Sequence, residues 1–278
     1  MSPQLHFLRP VALLLFLVGL SSIAMAQPPS DEFAFDDIPL DEGELPYIGV
    51  GAGYVGMLSF MNFDELNTLN GRLGFSADDD FKGPLLMHGG GGWTVIGLIP
   101  NLRLGVYGAG GSTSKSRTVA INGVDYNRAV RFDVGFTAAH IDYAIPLLRG
   151  FAVVPGVMVG SGSNTYKIVQ TQTAGANIEN FLGGYSGFPP SGGSSTPFAD
   201  NRSSTMERSF LFVYPAVNLE YAITQFVMIR AGGGYQFTGL TGTAKWLDTE
   251  GTELANVPDI SSDGPMVQIG VFLGLFQQ

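Results

Sequence analysis

The chain has 278 residues, of which 45% are hydrophobic and only 14% charged, with 39 glycines, no cysteine and a formal net charge of -10. So acidic a chain, without a basic stripe, is not a nucleic-acid binder, because phosphates need Lys and Arg. The missing cysteine excludes a disulfide framework and a lipidated-cysteine anchor.

Residues 1–26 have the layout of a cleaved export signal. Arg9 closes a weakly positive start, Val11 to Leu20 is an apolar run, and Ala24-Met25-Ala26 supplies small residues before the cut. That run is too short to cross a bilayer as a helix, which takes about 20 residues. Losing Arg9 with the signal, which holds no Asp or Glu, takes the net charge from -10 to -11. Residues 27–46 then form an acidic, proline-containing leader, expected to be a flexible periplasmic extension.

From Tyr47 to Phe276 the chain repeats one unit of alternating apolar and small or polar residues. Eight strands are expected near 47–58, 85–99, 102–111, 129–144, 150–162, 209–223, 226–238 and 266–276. Their links alternate in length. Pro100-Asn101, Pro146 to Arg149 and Thr224-Gln225 are short, whereas 59–83, 112–128, 163–208 and 239–265 are long. Short turns at one end and long loops at the other are the layout of an all-β, eight-stranded antiparallel up-and-down transmembrane β-barrel, with periplasmic turns and extracellular loops. Within the first long loop, FDELNTLN is expected to form one or two helical turns.

Strand register assigns the faces. In the last strand Val267, Ile269, Val271, Leu273 and Leu275 share the lipid side, opposite Gln268, Gly270, Phe272, Gly274 and Phe276. The seventh strand turns Val227, Ile229, Ala231, Tyr235 and Phe237 outward, and Met228, Arg230, Gly232, Gly234 and Gln236 inward. In the fourth, Val130, Phe132, Val134, Phe136 and Ala138 are expected outside, and Arg131, Asp133, Gly135 and Thr137 inside. Tyr47, Tyr143, Phe151, Tyr221, Phe226 and Phe276 fall at the short-turn ends, where an interfacial aromatic girdle belongs.

This layout, the terminal GVFLGLF strand and the export signal together resemble the small eight-stranded outer-membrane barrels, the type of the transmembrane domain of outer-membrane protein A. The resemblance implies a bacterial outer-membrane location. The partners it implies are outer-membrane lipids, lipopolysaccharide and the barrel assembly machinery. Barrels of this kind usually end on an aromatic residue, whereas Phe276 is followed by Gln277-Gln278.

Inward charges are the first candidates for a site, because ions away from water must be paired. Glu220 and Arg230 face each other across the Thr224-Gln225 turn and Arg103 enters at similar depth, so they are expected to plug the lumen or gate it. Arg131 and Asp133 are expected to form a second pair nearer the outer mouth. Pro155 and Pro215 lie inside adjoining strands, and a closed barrel offers no free edge for a residue without an N–H. They form either two bulges or a lateral opening, an arrangement that resembles the outer-membrane lipid A palmitoyltransferase.

Catalytic candidates are sparse. His140 and Asp142 share a face, as a base and its orienter do, but an interfacial histidine beside Tyr143 is the simpler account. His88 opens the HGGGGW run near the outer mouth, in reach of lipid head groups. The glycine runs lack the helix and Lys-Ser or Lys-Thr pair of a phosphate loop, and Asp78-Asp79-Asp80 lacks the ligand spacing of a calcium loop. No cofactor and no metal is expected. The expected function is that of a non-enzymatic envelope or surface-interaction barrel. The alternatives are narrow or laterally gated transport of small hydrophobic or ionic solutes, and modification of lipid A.

Overall fold

A sheet in hydrocarbon must close on itself, because an open edge would leave backbone N–H and C=O groups with neither water nor protein to bond. The computed structural model, which describes residues 49–97, 99–121, 123–172, 202–239 and 245–276, shows that closure. The ring strands are β1 (Gly49–Ser59), β2 (Leu85–Val95), β3 (Leu102–Ile121), β4 (Val124–Tyr143), β6 (Phe151–Gln172), β7 (Arg202–Thr224), β8 (Val227–Gln236) and β10 (Gly264–Phe276). Each pairs antiparallel with its chain neighbour in that series, and β1 pairs with β10 from Gly49↔Phe276 to Ser59↔Met266 to complete eight strands. Two short pieces, β5 (Ile145–Leu148) and β9 (Leu247–Asp248), add to the edges of β6 and β7. The expected signal, the leader, Tyr47 and most of the 163–208 link lie outside the described residues.

The outside of the ring is apolar. Along β10, Ile269, Leu273 and Leu275 are each more than 60% exposed, and Val50, Leu86, Leu104, Ile141, Val159 and Leu219 continue the belt round the other strands. An exposed apolar surface of this extent is incompatible with water and fits lipid. Tyr143, Tyr221 and Phe226 are exposed at the short-turn end, as expected of a girdle. Phe276 is not. It turns inward, as the register of the last strand requires, and packs at a tilt of 43° against Trp93 with 5.8 Å between centroids, where Gly49 and Gly51 leave no side chain in its way.

Two further expectations are corrected. The link expected at 112–128 is strand for most of its length: β3 and β4 stay paired without a shift from Leu102↔Tyr143 to Ile121↔Val124. Likewise β6 runs to Gln172 and β7 starts at Arg202. The extra residues, STSKSRTVAI in β3, carry no apolar face, so they read as loop although Thr, Val and Ile favour strands.

The other correction is the facing of β4. Val130, Phe132, Val134, Phe136 and Ala138 are buried inside the barrel, while Arg131 and Thr137 are exposed outside. The reason is height. The β2–β3 ladder ends at Met87↔Gly111, one residue below the level at which Asp133 pairs with Ser112. Above that level the outward face meets water rather than lipid, so Arg131 belongs outside and Val130 and Phe132 pack inward; Val134, Phe136 and Ala138 lie at or below it and face a lumen that is itself packed with rings such as Phe212.

What they pack against is a cap folded into the outer mouth. α1 (Asp64–Arg72) has Asp64 and Glu65 in its first turn and Arg72 in its last, each favourable to the helix dipole. Its Leu66 is fully buried with Phe63, Phe75, Phe81 and Ile260. Asn67 brackets Phe81 by donating to its C=O at 3.1 Å and accepting from its N–H at 2.8 Å, and the Tyr166 hydroxyl donates to Asn70 at 2.6 Å.

Inward glycines make room for rings in so narrow a lumen. A Cβ on Gly105 would stand 2.1 Å from Cε1 of His140 and 2.3 Å from the Gly92 carbonyl, whereas one on outward Gly56 meets nothing nearer than 3.9 Å. Gly105→Ala is therefore expected to destabilise the barrel by about 1–3 kcal/mol, and Gly56→Ala to leave it unchanged. Urea unfolding in lipid vesicles, followed by tryptophan fluorescence, measures both.

Candidate functional site: a ring of charges across the lumen

Two cross-strand pairs on opposite walls build the centre. Arg103 and Asp142 are direct partners on β3 and β4, and Glu220 and Arg230 are direct partners on β7 and β8. Pairing across the lumen then joins them. Arg103 donates through Nε to Asp142 at 2.6 Å and through both terminal nitrogens to Glu220 at 2.7 and 2.9 Å. Arg230 donates to Asp142 at 2.5 Å, and its Nε stands 3.1 Å from Glu220. Two guanidinium groups and two carboxylates thus alternate in a closed ring. All four residues are at most 3% exposed.

Neighbouring rings hold the arginines in place. Trp93 lies under the Arg103 guanidinium at 4.1 Å, and the Tyr107 hydroxyl accepts from Arg230 at 2.7 Å. Planar, bidentate geometry of this sort is what arginine supplies and lysine cannot. His140 sits at the edge, with its ring 4.9 Å from Tyr107 and its Nε2 3.4 Å from Asp142. Beside it is a small cavity lined by Tyr107, His140, Asp142, Met158, Asn218 and Arg230, with room for about one water. Above the ring, Phe136 packs edge-on to Phe212 at 5.1 Å, and Tyr107 to Phe272 at 6.5 Å.

The structure brings together Arg103, Glu220 and Arg230 as expected and adds Asp142, which sequence reasoning tied only to His140. The missed signal is charge balance. Two inward arginines require two inward carboxylates, and Asp142 is on the same face of β4 as His140. Arg131 and Asp133 do pair, at 2.7 Å, but on the outer surface, so they are not part of the lumen network. Asp142 accepts from both arginines, and His140 stands 3.4 Å from the same carboxylate. His88 faces outward and is hydrogen-bonded to the Tyr54 hydroxyl.

Neither proline breaks the wall. Pro155 pairs with Val217 and Pro215 with Val157, within a β6–β7 register that runs unshifted from Phe151↔Tyr221 to Gln170↔Arg202. Of the two alternatives expected there, neither a bulge nor a lateral opening is seen between these strands. Among the described residues no group of three or more His, Asp or Glu is placed to hold a metal.

No family model and no curated protein matches the chain. Several solved structures are similar in fold. They include the attachment invasion locus protein Ail of Yersinia pestis (10% identity, TM-score 0.36, covering 82% of this chain and 98% of that one). The N-terminal β-barrel domain of Pseudomonas aeruginosa OprF (11%, 0.34, 82% and 97%) and a major outer membrane protein from Thermus thermophilus (11%, 0.38, 82% and 99%) are others.

Removing one member of the ring strands two buried arginines on a single carboxylate. Glu220→Ala is expected to cost about 3–5 kcal/mol, read as a lower urea midpoint in lipid vesicles. Arg131→Ala, at an exposed pair, is expected to leave that midpoint unchanged.

Proposed function

We propose that the protein is a non-conducting, non-enzymatic barrel of the bacterial outer membrane, which contributes to the envelope and to surface interaction through its extracellular end. The observation that carries this reading is the closed charge ring across the lumen, topped by packed aromatic side chains and the folded cap. Eight strands enclose a space that side chains nearly fill, and here the largest buried groups, Arg103, Tyr166, Tyr214, Phe132, Phe212 and Phe272, do the filling. The apolar belt supports lipids and lipopolysaccharide as the surrounding partners. A cleaved signal over residues 1–26 would deliver the chain to the assembly machinery. The non-enzymatic reading is supported by the occupation of Asp142 by two arginines and of His88 by Tyr54.

A second reading, gated passage of small ions, draws on the same ring, since four charges with two equivalent acceptors have more than one way to pair. Planar-bilayer recordings separate the two. The expected result is no unitary current for the folded wild-type protein. Stable conductance steps in wild type, absent from the Glu220→Ala variant or altered by it, would sink the sealed-barrel reading in favour of the gate.

A further inference from the structure

β3 outlasts its neighbour. The β2–β3 ladder stops at Met87↔Gly111, while the β3–β4 ladder continues to Ile121↔Val124, so Ser112 to Ile121 has β4 on one side and, among the described residues, no paired strand on the other. The direction of its hydrogen bonds follows from the other end of the strand. The Leu102 carbonyl accepts from Ile96 on the β2 side and the Asn101 carbonyl accepts from Ala144 on the β4 side. Neither ladder shifts in between, so even-numbered residues of β3 turn their N–H and C=O toward the β2 side. Beyond the end of β2 those residues are Ser114, Ser116, Thr118 and Ala120, all exposed. This is a hydroxyl-bearing strand edge whose alternate backbone groups turn away from β4 and have no ladder partner among the described residues, the template on which an extended segment adds as another strand.

Side chains select the occupant. Lys115 and Arg117 stand two residues apart on the opposite face of the edge strand. Arg117 pairs with Asp79 at 3.3 Å in an exposed position, and Lys115 lies close enough to act on the same carboxylate, so two cations share one acid on this face. An antiparallel pairing with a second copy of this chain centred on Arg117 would set it against its own counterpart, and one centred on Ser116 would set Lys115 against Arg117; like charges directly opposite are destabilising. We propose that the overhang of β3 is a docking edge for an extended acidic peptide segment of a partner protein. The segment adds antiparallel to β3 and places carboxylates at alternate positions opposite Lys115 and Arg117. The proposal rests on the sealed-barrel reading only in taking this end of the strand to project outside the membrane.

Antiparallel geometry makes a sharp demand. Lys115 and Arg117 turn their backbone groups to β4, so the acidic residues opposite them turn their own N–H groups away, and the residues between donate to Ser114 and Ser116. The test uses the full folded protein in nanodiscs and a fluorescent synthetic decapeptide of alternating Thr and Glu. Fluorescence anisotropy should show saturable binding that is abolished by N-methylation at the Thr positions and retained with N-methylation at the Glu positions. Ser114→Pro with Ser116→Pro should weaken binding about tenfold or more through lost main-chain bonds. Proline is tolerated on an open edge, and an unchanged heat-dependent gel shift verifies that the barrel folds. Lys115→Glu with Arg117→Glu should switch the preference to an alternating Thr and Lys peptide. Equal binding of both N-methylated peptides, or none of the parent peptide to folded protein, overturns the proposal. So does a wild-type dimer in sedimentation that the proline variant lacks, since the occupant is then a second copy. None of these results bears on conductance, which decides the sealed-barrel reading separately.

Discussion

The ring of Arg103, Asp142, Arg230 and Glu220 ties the two halves of the barrel together, and the rest of the lumen is arranged to allow it. Each cross-strand pair would form in an isolated hairpin. What the closed barrel adds is the bond from each arginine to the carboxylate on the far wall. Charges away from water are costly singly, and the cost is offset here because each guanidinium pairs with both carboxylates. Gly105, Gly91 and Gly232 face the lumen beside these residues, where a Cβ would strike His140, Tyr107 and Asn218. Small residues on one wall are thus the condition for large charged and aromatic ones on the other.

A single physical variable, the solvent outside the wall, explains where polar and apolar residues fall. In the belt the outside is lipid, and the interior holds the ions. Past the end of β2 the outside is water, and the arrangement inverts within one strand: β4 carries buried Asp142 and exposed Ile141 at its lower end, and buried Phe132 and exposed Arg131 at its upper end. Both halves keep the same alternation. Only the meaning of inside and outside changes, and no strand has to break for it to do so.

This inversion marks the limit of what the amino-acid sequence discloses. Strand number, membrane topology and the inward face of β8 and β10 are legible because one face of each is aliphatic throughout, and lipid permits only one orientation. β4 carries Arg131 and Asp133 on one face at its upper end and Asp142 on the other at its lower end, with uncharged Gly135, Thr137 and Ala139 between, so its orientation depends on how far it rises above the bilayer, which no local pattern records. The overhang of β3 reads as a loop for the same reason: Ser, Thr, Lys and Arg carry no hydrophobic alternation, and what keeps them extended is pairing with β4. Asp142 was within reach, since an uncompensated inward arginine demands an acid. The cap was legible only as a helical turn, because its burial depends on β3, β4, β6 and β7 standing high enough to surround it.

Unequal strand length is then what separates the two ends of the molecule. Short turns join the strands below, and the closed ring leaves no edge in the hydrocarbon. Above, β1, β2, β8 and β10 stop near the belt while β3, β4, β6 and β7 continue, so the ring opens into a four-stranded blade with the cap lodged against its concave, apolar face. A closed barrel satisfies its backbone by geometry alone. A blade cannot, because its outermost strand must leave alternate N–H and C=O groups to water or to another chain. The ring of paired charges fills the lumen, and the blade presents an outer edge of β3 that has no ladder partner among the described residues. Whatever specificity this barrel has at the cell surface is therefore better sought along the edge of β3 than through the ring of charges beneath it.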